Sequence, residues 1–406
     1  MQTPAALSTR RLILTLGLVA LAAGFGQFGA TSALGQVAKA FGTVTDQQTF
    51  TAQAGLSGGT IAIGLGVLRA ASLLALPLSA LADRVGRHRM LFVCGVSGLL
   101  VTASAALSPG FWWFVALFAL ARPALTAAGS LAQVMTAELT SSRLRVTALT
   151  IVAAGAAVGA GCSAILHGIF HGPDGFRILF ACALAPALLM IVLVPRIPES
   201  RGPVHEASHI AHLGAIPVAL RGRLAIVMGV TAAVGAVSGP ANGFAFVYGE
   251  NILKFRPQVV ALVVTLSAVT GVIGLLIGRR LADRRGRRPT VVIGVLATAG
   301  TSLLAYSGGR PAFVIGYMVG VLAAAVLAPA GAALTTESFP GEVRASAAGW
   351  VGVAGVLGAL VGLAIFGAVA DATGTLAWAA VAAFLPGLPV LFFLRRLPET
   401  RGLALT

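Results

Sequence analysis

Charge is what this chain has least of. Asp, Glu, Lys and Arg make up 10% of its 406 residues, against 57% hydrophobic residues and a mean hydropathy of +0.94, whereas a soluble domain carries about a quarter charged residues. The shortage excludes a soluble globular fold and identifies an integral membrane protein. Cysteine is nearly missing as well. Cys94, Cys162 and Cys182 are the whole set; all lie in apolar stretches and none forms CxxC. An odd count builds no disulfide framework, so they are read as small core residues. There are twelve carboxylates and six histidines, and none falls at the centre of an apolar stretch. A membrane enzyme needs acids, histidines or a nucleophile with its base clustered at one depth, so the sequence reads as a non-enzyme.

What the chain has is apolar length. Runs of about 20 residues, enough to cross a ~30 Å hydrocarbon core as helices, recur at 12–37, 57–81, 90–107, 111–136, 146–168, 176–194, 224–248, 258–278, 290–306, 312–335, 345–370 and 376–394. Most links between them are short. Only 195–223 is longer, and it divides the spans into two sets of six. The expected fold is all-α, with twelve transmembrane helices: a six-helix bundle over 1–195, a cytoplasmic linker over 196–223 and a second six-helix bundle over 224–406. The opening STRRLILTLGLVALAAGF has the two arginines and apolar core of an export signal. Its apolar stretch outruns signal length, however, and Arg221 with Arg223 opens the second set of spans in the same way, so the first helix is read as retained.

The net charge of +16 suggests nucleic acid only until its distribution is read. With the N-terminus inside, the links 82–89, 137–145, 195–223, 279–289, 336–344 and 395–406, with Arg10 and Arg11, hold 21 of the 28 basic residues. The opposite links hold Lys39, Arg177, Lys254, Arg256 and Arg310. This positive-inside bias places both termini in the cytoplasm, in a plasma (inner) membrane, and leaves no nucleic-acid partner to explain.

The chain also repeats itself. LADRVGRHRM at 81–90 returns as LADRRGRRPT at 281–290, PRIPESRG at 195–202 returns as RRLPETRG at 395–402, and Glu138 followed by Arg145 returns as Glu337 followed by Arg344. Three landmarks in the same order mean two homologous halves. Half of the carboxylates sit at these places, namely Asp83, Glu138, Glu199, Asp283, Glu337 and Glu399, each beside arginines. Topology accounts for the arginines alone but not for mirrored acids, which read as a charge network.

These motifs, LADRxGR after spans two and eight, the Glu…Arg pair after four and ten, and PESR/PETR after six and twelve, resemble the major facilitator superfamily over the whole chain, its sugar-porter and metabolite-symporter branch above all. The resemblance implies two bundles of inverted three-helix repeats. It also implies a cytoplasmic gate in which Asp83, Arg84, Gly86 and Arg87, with Asp283, Arg284, Gly286 and Arg287, latch one side, their partners being Glu138, Arg145, Glu199, Glu337, Arg344 and Glu399. The sequence departs from the family at Ser79 and Arg279, where a glycine is usual, and in the first span, which lacks the aspartate of proton-coupled sugar porters. Sugar specificity therefore does not follow. The run Gly235 to Gly243 resembles the antiporter motif but lies in the seventh span rather than the fifth, and reads as small-residue helix packing.

What the halves do not share points to the solute. Arg69 and Arg122 fall near the middle of spans two and four, while Val269 and Leu322 stand 200 residues on. A guanidinium at that depth costs at least ~2.5–3.5 kcal/mol, so each either holds backbone carbonyls or faces a polar cavity as donor to an anionic or strongly polar solute. Gln27 and Asn242, with Gln36 and Tyr317, are further cavity groups or helix-to-helix hydrogen bonds. Asp46, Asp174, Glu250 and Asp371 are placed near one face and Glu206 and Glu342 near the other, so either the solute supplies the balancing charge or Glu250 reaches further inward. His167 and His171 are read as interface residues. His205, His209 and His212 lack a completing ligand for a metal, and HIAHLGAIPVALRGRL reads as an amphipathic helix on the inner leaflet with Arg221 and Arg223 at lipid phosphates.

The expected function is secondary active or facilitative transport of a small polar or anionic solute, an organic acid or sugar-like metabolite, by alternating access. Drug-type efflux of hydrophobic compounds is the alternative, because the cavity outside the arginines is apolar. A channel fits a two-half duplication poorly. The partners are a small-molecule solute, with a coupling proton left open, and the lipid bilayer. No cofactor and no metal is called for, and a monomer is expected.

Overall fold

The computed structural model describes residues 9–172, 174–200, 216–397 and 399; His205, Glu206, His209 and His212 lie outside them. Among the described residues there is no strand, and twelve helices are long and apolar enough to cross a membrane. They are α1 (Thr9–Ser32), α2 (Gly58–Val85), α3 (Arg87–Leu107), α4 (Phe111–Leu139), α5 (Thr147–Ile169), α6 (Gly175–Arg196), α7 (Val218–Ile252), α8 (Pro257–Arg285), α9 (Arg287–Ser307), α10 (Arg310–Glu337), α11 (Ser346–Thr373) and α12 (Leu376–Arg396). Each expected span falls on one of them. Apolar side chains such as Leu14, Ile63, Leu120, Leu188 and Leu276 remain on the outside, as lipid-facing residues should, and Trp112, Trp113 and Trp378 stand exposed at helix starts, where indoles favour the membrane interface.

Two boundaries differ from the sequence reading. The seventh helix begins at Val218, so Arg221 and Arg223 ride on its first turns rather than on a separate surface helix; Arg221 Nε donates to the Ile216 carbonyl at 3.2 Å. The same span runs on to Ile252 through a π-helical turn, Tyr248–Ile252. Glu250 lies on that turn and is 6% exposed. Of the two readings open for Glu250, burial within the protein fits the one in which it reaches inward.

The helices collect into two compact units. One takes in Met1–Phe41, Ala71–Ser208 and Arg256–Ala261, the other Gly42–Ala70, His209–Phe255 and Leu262–Thr406, counted over the described residues. The division falls within the central link, between Ser208 and His209, with two exchanges: the first part of α2 is grouped with the later spans and the first turn of α8 with the earlier ones.

Each unit has a close helix crossing built from glycine. In the first, α1 lies along α5; a Cβ added at Gly159 would meet the Leu21 carbonyl carbon at 2.8 Å and the Phe25 nitrogen at 2.9 Å, and one at Gly24 the Ala156 carbonyl carbon at 2.9 Å. In the second, α7 lies along α11 in the same way: a Cβ at Gly358 would be 2.5 Å from Ala232 Cα and one at Gly362 2.5 Å from Ala236 Cα. Lipid tails are as apolar as leucine, so helices in a bilayer associate through such backbone approach rather than through hydrophobic burial. The Gly235 to Gly243 run does this work, with Gly235 and Gly239 against Gly355 and Ala359 of α11.

The second unit also ties the start of α2 to the end of α11. Asp371 accepts the Gly58 and Gly59 N–H groups at 2.6 and 2.8 Å and the Thr51 hydroxyl at 3.3 Å, and the Phe50 N–H reaches the Gly374 carbonyl at 3.1 Å. A carboxylate there satisfies two of the orphan donors of a helix start and meets the positive end of its dipole.

Candidate functional site

In the first unit, Gln27 of α1 and Arg122 of α4 hold each other's helices. Arg122 Nη1 donates to the Gln27 carbonyl at 2.7 Å, and Gln27 Nε2 donates to the Leu125 carbonyl at 3.0 Å. Both side chains are half-buried. Gln36 Nε2 turns to the Phe170 carbonyl at the end of α5, at 3.2 Å; this is a helix-to-helix bond.

In the second unit, Asn242 of α7 donates through Nδ2 to the Ser238 carbonyl at 2.8 Å and accepts the Tyr317 hydroxyl of α10 at 3.3 Å. One residue earlier on α7, the Ala241 carbonyl accepts the Tyr306 hydroxyl of α9 at 2.7 Å. Tyr248 completes the group: its ring lies 5.0 Å from that of Tyr306, and its hydroxyl donates to the Gly308 carbonyl at 3.1 Å. All three tyrosines of the chain thus gather where α7, α9 and α10 meet. Sequence reasoning named only Tyr317, although so small a set confined to the later spans was a usable signal. Arg69, half-buried on α2, belongs to this second unit, and Arg122 to the first.

The mirrored acids form two matching clips. In the first unit, Arg87 at the start of α3 gives Nε and Nη2 to Asp83 Oδ1 at 3.0 and 2.9 Å and Nη1 to Glu138 at the end of α4. Glu199 accepts the His88 N–H at 3.2 Å. In the second, Arg287 meets Glu337 at 3.2 and 3.3 Å and Asp283 at 3.5 Å, while Glu399 accepts the Arg287 and Arg288 N–H groups at 2.8 and 3.1 Å. The glycine of each motif is required twice over. Gly86 and Gly286 have φ of 110° and 102°, and a Cβ on them would lie 3.2 and 2.7 Å from an oxygen of Glu199 and Glu399 respectively. The Glu of each Glu…Arg motif receives the arginine of the LADRxGR loop. Arg344 instead donates Nε to the Phe339 carbonyl at 3.3 Å, and Arg145, Arg84 and Arg284 are exposed. Each clip lies wholly within one unit, joining three consecutive helices and the segment after the sixth or twelfth.

Twelve membrane-length helices carrying a duplicated set of interhelical clips, with polar groups inside two small-residue bundles, define a polytopic solute carrier. The family profile of the Major Facilitator Superfamily matches residues 16–256 and again 224–405, and the chain belongs to that superfamily, a family of transporters rather than enzymes. It is 25% identical over 304 residues to the cis,cis-muconate transport protein of Acinetobacter baylyi, covering 71% of this chain and 73% of that protein. Its fold is similar to that of the nucleoside transporter NupG (D323A mutant), with a TM-score of 0.77 at 16% identity over 95% and 99% of the two chains. It is similar also to the inward-open xylose transporter XylE from E. coli, with a TM-score of 0.71 at 18% identity over 98% of each. The protein is a multi-pass membrane transporter of small solutes.

Proposed function

We propose that the solute is a small organic anion, moved across the plasma membrane by alternating access, with both termini cytoplasmic. The observation that carries this is Arg122, a half-buried guanidinium near the middle of α4 whose orientation is set by the Gln27 carbonyl. A cation at that depth is costly unless its site repays it, and an anionic solute repays it at each turnover through charge-assisted hydrogen bonds. Arg69, near the middle of α2, is the second donor on the same reasoning, with Gln27 and Asn242 as neutral partners for the polar body of the solute. The relative that transports muconate, a dicarboxylate, supports an organic acid over a sugar. The two clips serve as gate elements on the basic side, and the sequence halves 1–195 and 224–406, joined by 196–223, are the bodies that move.

The test is uptake into proteoliposomes of a labelled dicarboxylate, D-xylose and a lipophilic cation by wild type and by Arg69→Gln and Arg122→Gln. Saturable dicarboxylate uptake that falls at least tenfold in both variants is expected. Uptake of xylose alone, or export of the lipophilic cation with both variants fully active, sinks the anion reading; the second result is drug-type efflux.

A further inference from the structure

The second unit has a groove of about 570 Å³ between α9 and α12, adjoining the Glu399 end of its clip. Its two walls have the same layout. On α9, Arg288, Val292 and Leu296 follow one another at four-residue spacing and so share one helix face. On the antiparallel α12, Leu391 and Arg395 do the same, with Phe392 beside them. An arginine stands at the same end of each wall, and below it the lining is apolar and open to the outside: Leu296 is 47% exposed and Phe392 62%. The two ends are tied, since Arg288 Nη2 donates to the Arg395 carbonyl at 2.8 Å, and the Arg395 guanidinium lies 5.9 Å from the Phe392 ring. Glu399 also lines the groove, but its carboxylate is held at the start of α9 by the N–H groups of Arg287 and Arg288.

We propose that this groove binds one anionic phospholipid, its phosphate between Arg288 and Arg395 and an acyl chain along Val292, Leu296, Leu391 and Phe392. A groove of this volume is within the range of small-molecule sites. Two guanidinium groups at its mouth match a phosphate in charge and in fork geometry. Basic pockets between transmembrane helices recognise lipid head groups by that combination. The chain's own duplication makes the comparison that generic positive-inside charge fails to explain. Two hundred residues earlier, Arg288 and Arg395 correspond to His88 and Pro195, and His88 Nε2 is engaged with the Val194 carbonyl at 2.9 Å. The acids of the clips are kept in both halves, whereas this arginine pair exists in one.

The experiment uses the full chain purified in detergent and stripped of lipid. Melting temperature and native mass spectrometry are read on addition of phosphatidylglycerol, phosphatidylcholine or inorganic phosphate, for wild type, Arg288→Gln/Arg395→Gln, Arg288→Lys/Arg395→Lys and Leu296→Asn. One phosphatidylglycerol is expected to be retained by wild type and to raise its melting temperature more than phosphatidylcholine does. The glutamine pair should bind it at least tenfold more weakly, the lysine pair should keep most of the preference for it, and Leu296→Asn should weaken retention of both lipids. Equal stabilisation by the two lipids overturns the proposal, as does a preference that survives in the glutamine pair or an equal response to inorganic phosphate. Should the glutamine pair not fold, the lysine pair and Leu296→Asn on the wild-type background still decide.

Discussion

Replacing Gly358 by alanine adds one methyl group at the point where α7 and α11 touch. The added Cβ would sit 2.5 Å from Ala232 Cα and nearer still to the Ala232 carbonyl oxygen, where ordinary contact needs 3.4 Å or more. Neither helix can relieve this by a rotamer change, because backbone meets backbone, so the helices must part by roughly 1 Å. The same separation loosens Gly235 against Gly355 and Gly362 against Ala236. Overpacking of this kind costs about 1–3 kcal/mol, against which alanine regains at most ~1 kcal/mol of helix propensity. The net loss of ~0–2 kcal/mol corresponds to at most roughly 8 °C for a unit of about 200 residues, and the overpacking cost of about 1–3 kcal/mol separates Gly358→Ala from a variant that gains the propensity alone by roughly 2–12 °C. Gly352 lies on the same helix with nothing within 4 Å of its added Cβ, so Gly352→Ala measures the propensity gain alone. Thermal unfolding of the two variants, followed by intrinsic tryptophan fluorescence in detergent, is the assay. Equal melting temperatures would refute the claim that glycine-mediated backbone contact holds this crossing. Gly358→Ala/Gly362→Ala should fall by less than the sum of the single changes, because one separation relieves both contacts.

Removing an arginine hub should destabilise either unit alike: Arg87→Gln and Arg287→Gln each leave two acids facing one another across a partly desolvated helix end, and a loss of about 1–3 kcal/mol is expected in denaturation or thermal shift. Asp371→Ala removes both acceptors at the start of α2, at a cost of about 1–2 kcal/mol; amide exchange at Gly58 and Gly59 should quicken while that of α9 stays as it was. Tyr306→Phe deletes the bond to the Ala241 carbonyl at about 1 kcal/mol, and its effect should exceed that of Tyr317→Phe, whose bond is longer at 3.3 Å. Asp83→Asn/Asp283→Asn weakens both clips, and a cysteine probe placed on the basic side should change in accessibility; no change rules out a gating role for them.

Much of this was readable in the residues, for reasons that are physical. Apolar length decides a membrane span almost alone, so the twelve described helices fall where hydropathy puts them, and the spacing of glycines in α7 already indicated small-residue helix packing. Glu138 and Glu337 were recognisable as paired acids because duplication marks them. Their partner was legible only as the LADRxGR loop, since the choice between Arg84 and Arg87 depends on how that loop turns at Gly86. Glu250 was left open between a face and a more inward place, because the π-helical turn that carries it leaves no mark in the residue pattern. Tyr248 and Tyr306 bond to backbone carbonyls, which have no sequence signature, and the partners of Asp371 are 312 and 313 residues away in the chain.

That last separation sets a clock on biosynthesis. Ribosomes add about 5–20 residues per second, so Gly58 and Gly59 enter the bilayer some 15–60 seconds before Asp371 exists to receive them. During that interval the first half of α2 has left the translocation machinery without the unit it will join. A chain stalled after its sixth span therefore displays an uncapped helix start and an unmatched glycine face, Gly58 and Gly66 among them, which is what a membrane protease or a chaperone needs in order to tell an unfinished carrier from a finished one.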